Sequence, residues 1–237
     1  MTTIRPLPTS ASSLTQVVYE RLRADVLSCR LRPGEKITIG DFCKAHEVSL
    51  GAVREALSRL TAEGLVIAEP QRGFRVAPIS ESDLKQLTEA RLGIEKLCLT
   101  RSIAVGDLGW ESRLVANFHA LSRTPERVSG DENRLSEEWS QAHNHYHQAL
   151  VDGCDNVWLL RMRAILYAQS ERYRRISVPL SREGRDVEQE HREIMEAALA
   201  RDGDRACRLL ENHLVSTTLI VLSSGAVQQS ATSPAVA

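Results

Sequence analysis

The sequence predicts a mainly α-helical chain that is divided into two parts. Aromatic residues make up only 4% of the 237 residues, whereas Leu, Ala, Arg and Glu are abundant, and this composition favours helices over sheets. Apolar residues recur at helical spacing along most of the chain. The exception is a short β-like stretch around residues 66–77, which contains a Pro and a Gly.

Composition excludes several classes of protein. The chain is 42% hydrophobic and 26% charged, close to the values of globular proteins, so a disordered or fibrous protein is excluded. No apolar run approaches the roughly 18 residues of a membrane span, and the first residues lack the apolar core of a secretory signal. The five cysteines are scattered and form no C-x-x-C pair. We therefore expect reduced thiols, a cytoplasmic protein and no association with membranes.

The N-terminal elements follow a helix, helix, turn, helix and wing order. Apolar spacing predicts helices over 14–28, 40–46 and 50–63, with an extended piece at 36–39 and two strands at 66–68 and 73–77. Pro33-Gly34 ends the first helix, Ser49 is placed to cap the third, and Gly64 to end it. Residues 14–77 therefore predict a winged helix-turn-helix with three helices and a two-stranded wing, after a flexible segment at 1–13.

The rest of the chain is predicted to be an antiparallel, all-helical bundle over residues 78–224. Six helices are expected, at 84–104, 107–122, 135–151, 157–176, 183–200 and 205–223. Ser80 and Asp107 are placed to cap the first two, 123–133 is expected to be a polar loop, and Val178-Pro179 to break the fourth helix. The last residues, 225–237, are predicted to be a disordered tail.

The residues of the N-terminal part suit double-stranded DNA. Residues 1–77 carry eleven Lys or Arg against eight Asp or Glu, although the whole chain has a net charge of −1. Ser49, Gly51 and Arg54 lie on or near the first turn of the third helix, where donors can reach phosphates or base edges. Arg72 and Gly73 supply a cation and a close backbone approach in the wing. The alternative for Arg54 is a solvated helix face.

Four segments of this part resemble the DNA-binding domain of GntR-family bacterial transcription regulators. They are Leu31-x-Pro33-Gly34, Val53-Arg54-Glu55-Ala56-Leu57-x-Arg59-Leu60, Glu63-Gly64-Leu65-Val66 and Arg72-Gly73-x-x-Val76. Two positions depart from the family pattern: Leu50 and Gly40 stand where members often have DNA-contacting arginines. The operator sequence of better-known members therefore cannot be transferred.

Histidines are the main chemical feature of the C-terminal part. His143 and His147 are four residues apart and share one helix face, whereas His145 points the other way. His191 and His213 lie on two later helices, and a bundle that joined the three helices would place four imidazoles around one point. Imidazole suits zinc, nickel, copper or iron. The alternative is that these are ordinary packing residues, since spacing alone does not show that they converge.

A second resemblance concerns this part of the chain. It is carried by Tyr146-His147 with Asn156, Glu190-His191-x-x-Ile194-x-x-Ala197, Gly203-Asp204-x-Ala206 and Asn212-His213-Leu214. These segments are similar to the FCD effector-binding domain of the FadR-type subfamily, a helical bundle that in many members holds a divalent metal through one Asp and three His and binds a carboxylate effector.

The resemblance assigns roles to individual positions. It implies that His147, His191 and His213 are metal ligands and that His143 replaces the Asp, which makes the ligand set neutral. Zinc or nickel is then expected. The segments around Trp139 and Trp158 are also similar to carbon-starvation-induced regulators linked to glutarate and related dicarboxylates.

An acidic effector requires a cation in the bundle. Arg91 matches a family position whose guanidinium faces the cavity, and the alternative is an ion pair with Glu95, one turn away. Tyr167 is our second candidate for effector binding, and the spacing leaves Arg172 and Tyr173 unresolved.

Together these features predict a regulator and not an enzyme. We expect a homodimeric repressor that leaves an inverted-repeat operator when it binds a small carboxylate, since one short recognition helix reads few base pairs. The alternatives are a metal-dependent enzyme using the bundle histidines and an architectural DNA-binding protein with an inert bundle. The sequence contains no H-E-x-x-H, G-x-S-x-G or P-loop motif, which disfavours the enzyme.

Overall fold

The computed structural model describes residues 10–177 and 185–227. Contacts divide the chain between Ile79 and Ser80 into two compact units. The N-terminal unit contains α1 (Ser10–Leu27), β1 (Lys36–Ile37), α2 (Ile39–His46), α3 (Leu50–Ala62), β2 (Val66–Glu69) and β3 (Gly73–Val76). The C-terminal unit contains α4 (Glu81–Val105), α5 (Leu108–Ser122), β4 (Arg127–Val128), β5 (Asp131–Leu135), α6 (Glu137–Val151), α7 (Val157–Ser177), α8 (Val187–Leu199) and α9 (Gly203–Ser223).

A winged helix-turn-helix is confirmed, with one more strand than expected. The sheet has the order β1-β3-β2 and is antiparallel, and Ile37 of β1 pairs with Phe74 of β3. The two-stranded wing of β2 and β3 is confirmed, and the extended piece expected at 36–39 contains β1, which adds a third strand to the sheet. Helix α1 begins at Ser10, four residues before the expected start.

The apolar stripes of α1 and α3 form the core of this unit. Val53, Leu57 and Leu60 of α3 are fully buried against Leu22 and Val26 of α1 and the sheet. The hydroxyl of Ser49 accepts from the Ala52 amide at 3.2 Å and caps α3 as expected. Gly64 has a φ of +71° directly after the helix, a conformation that favours glycine there.

The C-terminal unit is a bundle of six helices among the described residues. Helix α4 packs against α6, α7 and α9, while α5 packs against α6 and α8. Ser80 accepts from the Asp83 amide at 3.1 Å and Asp107 accepts from the Trp110 amide at 2.8 Å, so both predicted caps are confirmed. The core of the bundle includes Leu99, Trp110, Leu114, Tyr146 and Ile194.

The region expected to be a polar loop forms a hairpin instead. Strands β4 and β5 pair antiparallel, and Gly130 has a φ of +83° in the turn between them. The hairpin strand continues to Leu135, so α6 begins at Glu137 after the cap Ser136. Polar, weakly β-forming residues in this stretch gave no strand signal.

Smaller differences concern helix starts. Helix α8 begins at Val187 and α9 at Gly203, each after an aspartate whose side chain caps the helix (Asp186 and Asp202). The predictions for Val178-Pro179, for residues 183 and 184, for the flexible segment at 1–9 and for the tail at 228–237 lie outside the described residues. None of the described helices is both long and apolar enough for a membrane span.

Candidate nucleic-acid interface and metal centre

The predicted DNA-binding residues all lie on the surface of the N-terminal unit. Ser49, Gly51 and Arg54 are exposed around the first turn of α3, and Arg72 and Gly73 are exposed at the tip of the wing. Arg54 forms no hydrogen bond or ion pair with any residue that the structure describes. Its guanidinium is therefore available to a phosphate or a base edge.

The backbone requires a glycine at one of the two glycine positions of this surface and not at the other. Gly73 has a φ of +96°, so the turn of the wing itself requires a glycine. Gly51 has an ordinary helical backbone, and no atom of the described residues lies within 4 Å of the position that a Cβ would take. Folding therefore gives no reason for a glycine at 51, where a Cβ would project into solvent.

The four predicted ligand histidines converge inside the C-terminal unit. His143, His147, His191 and His213 are all buried, and their candidate ligand atoms lie within 4.8 Å of one another. The Nε2 atom of His147 lies 3.2 Å from Nε2 of His143 and 3.3 Å from Nε2 of His191. In a tetrahedral complex with metal–nitrogen bonds of about 2.0–2.1 Å, neighbouring nitrogens lie about 3.3–3.4 Å apart.

Hydrogen bonding within the cluster favours a cation. A ring nitrogen carries at most one hydrogen, so Nε2 of His147 cannot give a full hydrogen bond to both neighbours. A cation at the centre accepts the lone pairs of all the rings at once. The residues present therefore fit a divalent metal, by the chemistry and spacing of the donor atoms.

Burial keeps these histidines in the form that binds metals. Loss of hydration lowers the pKa of His143, His147 and His191 well below the ordinary value, and neighbouring charged groups lower it further. Burial also lowers the pKa of His213, against the effect of its hydrogen bond to Glu190. Burial therefore favours the neutral form of all four rings, which is the form that binds a metal.

Two polar partners orient the rings. Nδ1 of His213 lies 2.7 Å from a carboxylate oxygen of Glu190, which leaves Nε2 of that ring for a metal. Burial raises the pKa of Glu190, but hydrogen bonds from Arg185 and His213 outweigh it and lower the pKa to about 2. Nδ1 of His143 lies 3.3 Å from the Tyr167 hydroxyl, so the Tyr167 oxygen can accept from this ring when Nε2 faces a metal.

The remaining histidines lie elsewhere. His145 is exposed on α6, as the helical spacing predicts, and His46 and His119 are exposed as well. The local fold explains the selection: positions 143 and 147 share the inward face of α6 with Tyr146 and Leu150, whereas position 145 does not.

A cavity of about 40 Å³ adjoins the cluster, with room for about three water molecules. It is lined by polar and charged side chains from α4, α6, α7 and α9 and by a few apolar ones; the polar and charged ones are Thr88, Arg91, His143, His147, Ser170, Tyr173, Arg174, His213, Thr217 and Thr218. Both of its charged lining residues are arginines, and none of the described residues that line it is Asp or Glu. The cavity is therefore suited to an anion.

The predicted effector residues occupy different places around this cavity. Arg91 lines it and also makes the ion pair with Glu95, at 3.2 Å, so both alternatives for Arg91 are present together. Tyr167 does not line the cavity; it stands between His143 and Arg91, with its ring 4.9 Å from the guanidinium. Tyr173 lines the cavity and donates to Asp83 at 2.5 Å, whereas Arg172 is buried elsewhere on α7.

Sequence analysis missed Arg174 and Arg163. Arg174 lines the cavity and lies seven residues, about two helical turns, after Tyr167 on the same face of α7. This spacing was the signal available in the sequence. Arg163 is buried behind the cluster and donates to the backbone oxygen of His147 at 2.7 Å and to Glu95 at 2.8 Å. Only the fold shows that Arg163 supports the histidine helix.

Comparison with known proteins identifies both units. The profile of the bacterial regulatory proteins of the gntR family matches residues 14–76, and that of the FCD domain matches residues 86–216. The chain belongs to the GntR family, in the group with an FCD domain. It is therefore a DNA-binding transcriptional regulator and not an enzyme, and the metal-dependent enzyme alternative is set aside.

Named relatives agree with this family. The chain is 40% identical to the regulator BphR of Paraburkholderia xenovorans (strain LB400), over 93% of this chain and 90% of the relative. It is 35% identical to the HTH-type transcriptional repressor GlaR of Escherichia coli (strain K12), over 86% of this chain and 93% of the relative.

A solved structure shows the same fold. A GntR transcriptional regulator from Rhodococcus sp. RHA1 has a TM-score of 0.71 and 24% identity, over 90% of this chain and 99% of that one. At this identity, the likeness supports the fold alone.

Proposed function

We propose that the chain is a cytoplasmic, homodimeric repressor whose affinity for an inverted-repeat operator falls when a small carboxylate binds beside a divalent metal in the helical bundle. The observation that carries the proposal is the cluster of four buried histidines that borders a cavity with two arginines and no described carboxylate in its lining. A metal and an anion are what such a lining attracts.

The metal is held by His143, His147, His191 and His213. These ligands are neutral, so a divalent ion keeps its full charge of +2 and attracts an acid more strongly than it would in a set that includes a carboxylate. The bound metal supplies a Lewis-acidic contact for a carboxylate oxygen. Zinc and nickel are the metals that we propose, because both bind imidazole well.

The positive charge around the cavity supports an acidic effector. Glu95 is shared between Arg91 and Arg163, at 3.2 and 2.8 Å, so one carboxylate faces two guanidiniums. The volume of the cavity supports a compact acid head group, since about three water molecules fill it.

The proposed DNA-binding surface joins the exposed Arg54 of α3 with Arg72 of the wing. Helix α3 reads the major groove, Arg54 contacts a base edge or a phosphate, and Arg72 and the backbone at Gly51 and Gly73 contact the sugar-phosphate chain. Repression is supported by one relative, since the 35% identical GlaR carries the name of a repressor.

An exposed apolar stripe on α7 supports the homodimer. Trp158, Met162 and Ile165 are 64%, 43% and 50% exposed and lie three or four residues apart, so they share one face of the helix. We propose that a second copy of the chain covers this face, because an inverted repeat requires two recognition helices related by a two-fold axis. Sedimentation equilibrium of Met162→Glu is expected to show monomers, with exposed Ser112→Glu on α5 as the dimeric control; a dimeric Met162→Glu contradicts this interface.

The experiment that tests the function has two stages. Random DNA is first selected on the zinc-loaded full chain, and we expect the selected sites to be inverted repeats. Fluorescence anisotropy with the best site then measures release by acetate, lactate, succinate and glutarate. Release by at least one acid supports the proposal; selected sites without two-fold symmetry, or binding that no acid changes, contradict it.

A further inference from the structure

The two arginines that line the cavity are not equivalent. Arg91 uses Nε for Glu95 at 3.2 Å and Nη1 for Ser170 at 2.8 Å, and its guanidinium lies 4.9 Å from the centre of the Tyr167 ring. These contacts hold Arg91 between α4 and α7. Its main effect is to neutralise Glu95 and to support Tyr167, which in turn contacts His143.

Arg174 leaves one nitrogen without a partner. Its Nε donates to Glu171 at 3.0 Å, and its Nη2 donates to Glu171 and to Ser140. Nη1 is buried and has no hydrogen-bond partner among the described residues. A buried charged N–H group without an acceptor is costly, so a ligand that supplies an acceptor binds there with a large gain.

Arg174 also approaches the histidines through the ring of Trp139. Its guanidinium lies 5.3 Å from the centre of the Trp139 ring, and the Trp139 ring is stacked on His143 at 4.7 Å. Tryptophan thus forms a common platform for the guanidinium and for one proposed metal ligand. The side chain of Arg174 is only 12% exposed, so solvent does not replace a missing acceptor.

Glu171 occupies only part of the Arg174 guanidinium. Its carboxylate is shared with Arg175, whose Nε lies 3.3 Å from it, and Arg175 also pairs with Glu137. The two cations are thus matched by two carboxylates, and what distinguishes Arg174 is its unpartnered Nη1 beside the cavity that it lines.

From these observations we infer that Arg174 is the residue that selects an acidic effector, by donating from Nη1 to the carboxylate held at the histidine centre. This inference rests on the proposed function, because it assigns a specificity residue to the same site. It differs from the expectation from sequence, which placed this role on Arg91. The four histidines would hold the metal, which would attract the acid, and Arg174 would donate to the carboxylate of that acid.

The test is a thermal-shift titration of the zinc-loaded full chain with acids and their neutral amides. The probes are acetate, succinate and glutarate, paired with acetamide, succinamide and glutaramide, so that the shape is kept while every negative charge is removed. We expect acids to bind the wild type more tightly than the amides do. Arg174→Gln is expected to weaken the acids at least tenfold and to leave the amides within about threefold.

The matched control is Arg175→Gln. Arg175 is the next residue on α7 and pairs with Glu137 at 2.8 Å, but it does not line the cavity. Its substitution is expected to leave the preference for acids intact. If Arg174→Gln does not fold, the same titration is made with the double variant Arg174→Gln/Glu171→Gln. This variant removes both partners of the ion pair and leaves no unpaired carboxylate.

The outcomes distinguish a failure of the proposed function from a failure of the role of Arg174. A wild-type protein that binds no acid more tightly than its amide contradicts the proposed function itself. Acid preference that survives in Arg174→Gln, that is lost equally in Arg175→Gln, or that is lost only in Arg91→Gln overturns the role of Arg174 and leaves the proposed function standing.

Discussion

His147 is the residue whose removal tests the metal centre most sharply. Its Nε2 atom lies 3.2 Å from His143 and 3.3 Å from His191, so His147→Ala breaks both of the closest pairs at once. A metal that binds only the folded state adds about 4 kcal/mol of stability when its free concentration is about a thousand times Kd. For chains of about 150–250 residues, each kcal/mol shifts Tm by about 2–4 °C. Zinc is therefore expected to raise the Tm of the wild type by about 8–16 °C.

The assay is differential scanning calorimetry of each protein with zinc and with a chelator. Subtracting the two Tm values for the same variant removes the cost of truncating a buried ring. We expect His147→Ala to lose most of the zinc-induced shift and the exposed His145→Ala, two residues away on α6, to keep it. Equal shifts in the two variants, or no shift in the wild type, would refute a centre built on these histidines.

Three further predictions concern DNA. Arg54→Ala removes an exposed and unpaired guanidinium, and we expect it to weaken operator binding by about 1–3 kcal/mol if Arg54 reads a base. The circular dichroism spectrum of the variant should be unchanged. Unchanged operator affinity would show that Arg54 lies outside the interface. Arg72→Ala should weaken operator and scrambled DNA alike and reduce the salt slope by about 1, so a loss confined to the operator would show base reading instead. Gly51→Ala should raise the free energy of unfolding by about 0.4–1 kcal/mol in urea titrations, since its Cβ meets nothing in the described structure, and yet weaken DNA binding. Unchanged DNA affinity would place the DNA away from the start of α3.

Local signals in the sequence predicted the helices well. Ser49, Ser80 and Asp107 each cap the helix that they were expected to cap, because capping depends on hydrogen bonds within three residues. The shared face of His143 and His147 is a local property of the same kind. That His191 and His213 meet them is a tertiary fact, and spacing in sequence does not contain it.

The features that the sequence did not predict depend on contacts between residues that are far apart in the chain. The extended piece at 36–39 was predicted, but the pairing of β1 with Phe74, far along the chain, was not. The hairpin of β4 and β5 is built from polar residues around Gly130, and tertiary context overrides their weak strand preference. Arg174 was missed because its distinction from Arg172, two residues away, depends on which face of α7 borders the cavity.

The central claim is that an acid bound at the histidine centre controls the affinity for DNA. The most direct measurement is the operator affinity of the zinc-loaded wild type, the metal-free wild type and zinc-treated His191→Ala, each with and without the acid that binds best. We expect the acid to weaken operator binding at least tenfold in the zinc-loaded wild type and less than twofold in the other two. An equal response in all three proteins would contradict the claim, because the acid would then act without the metal and its ligands.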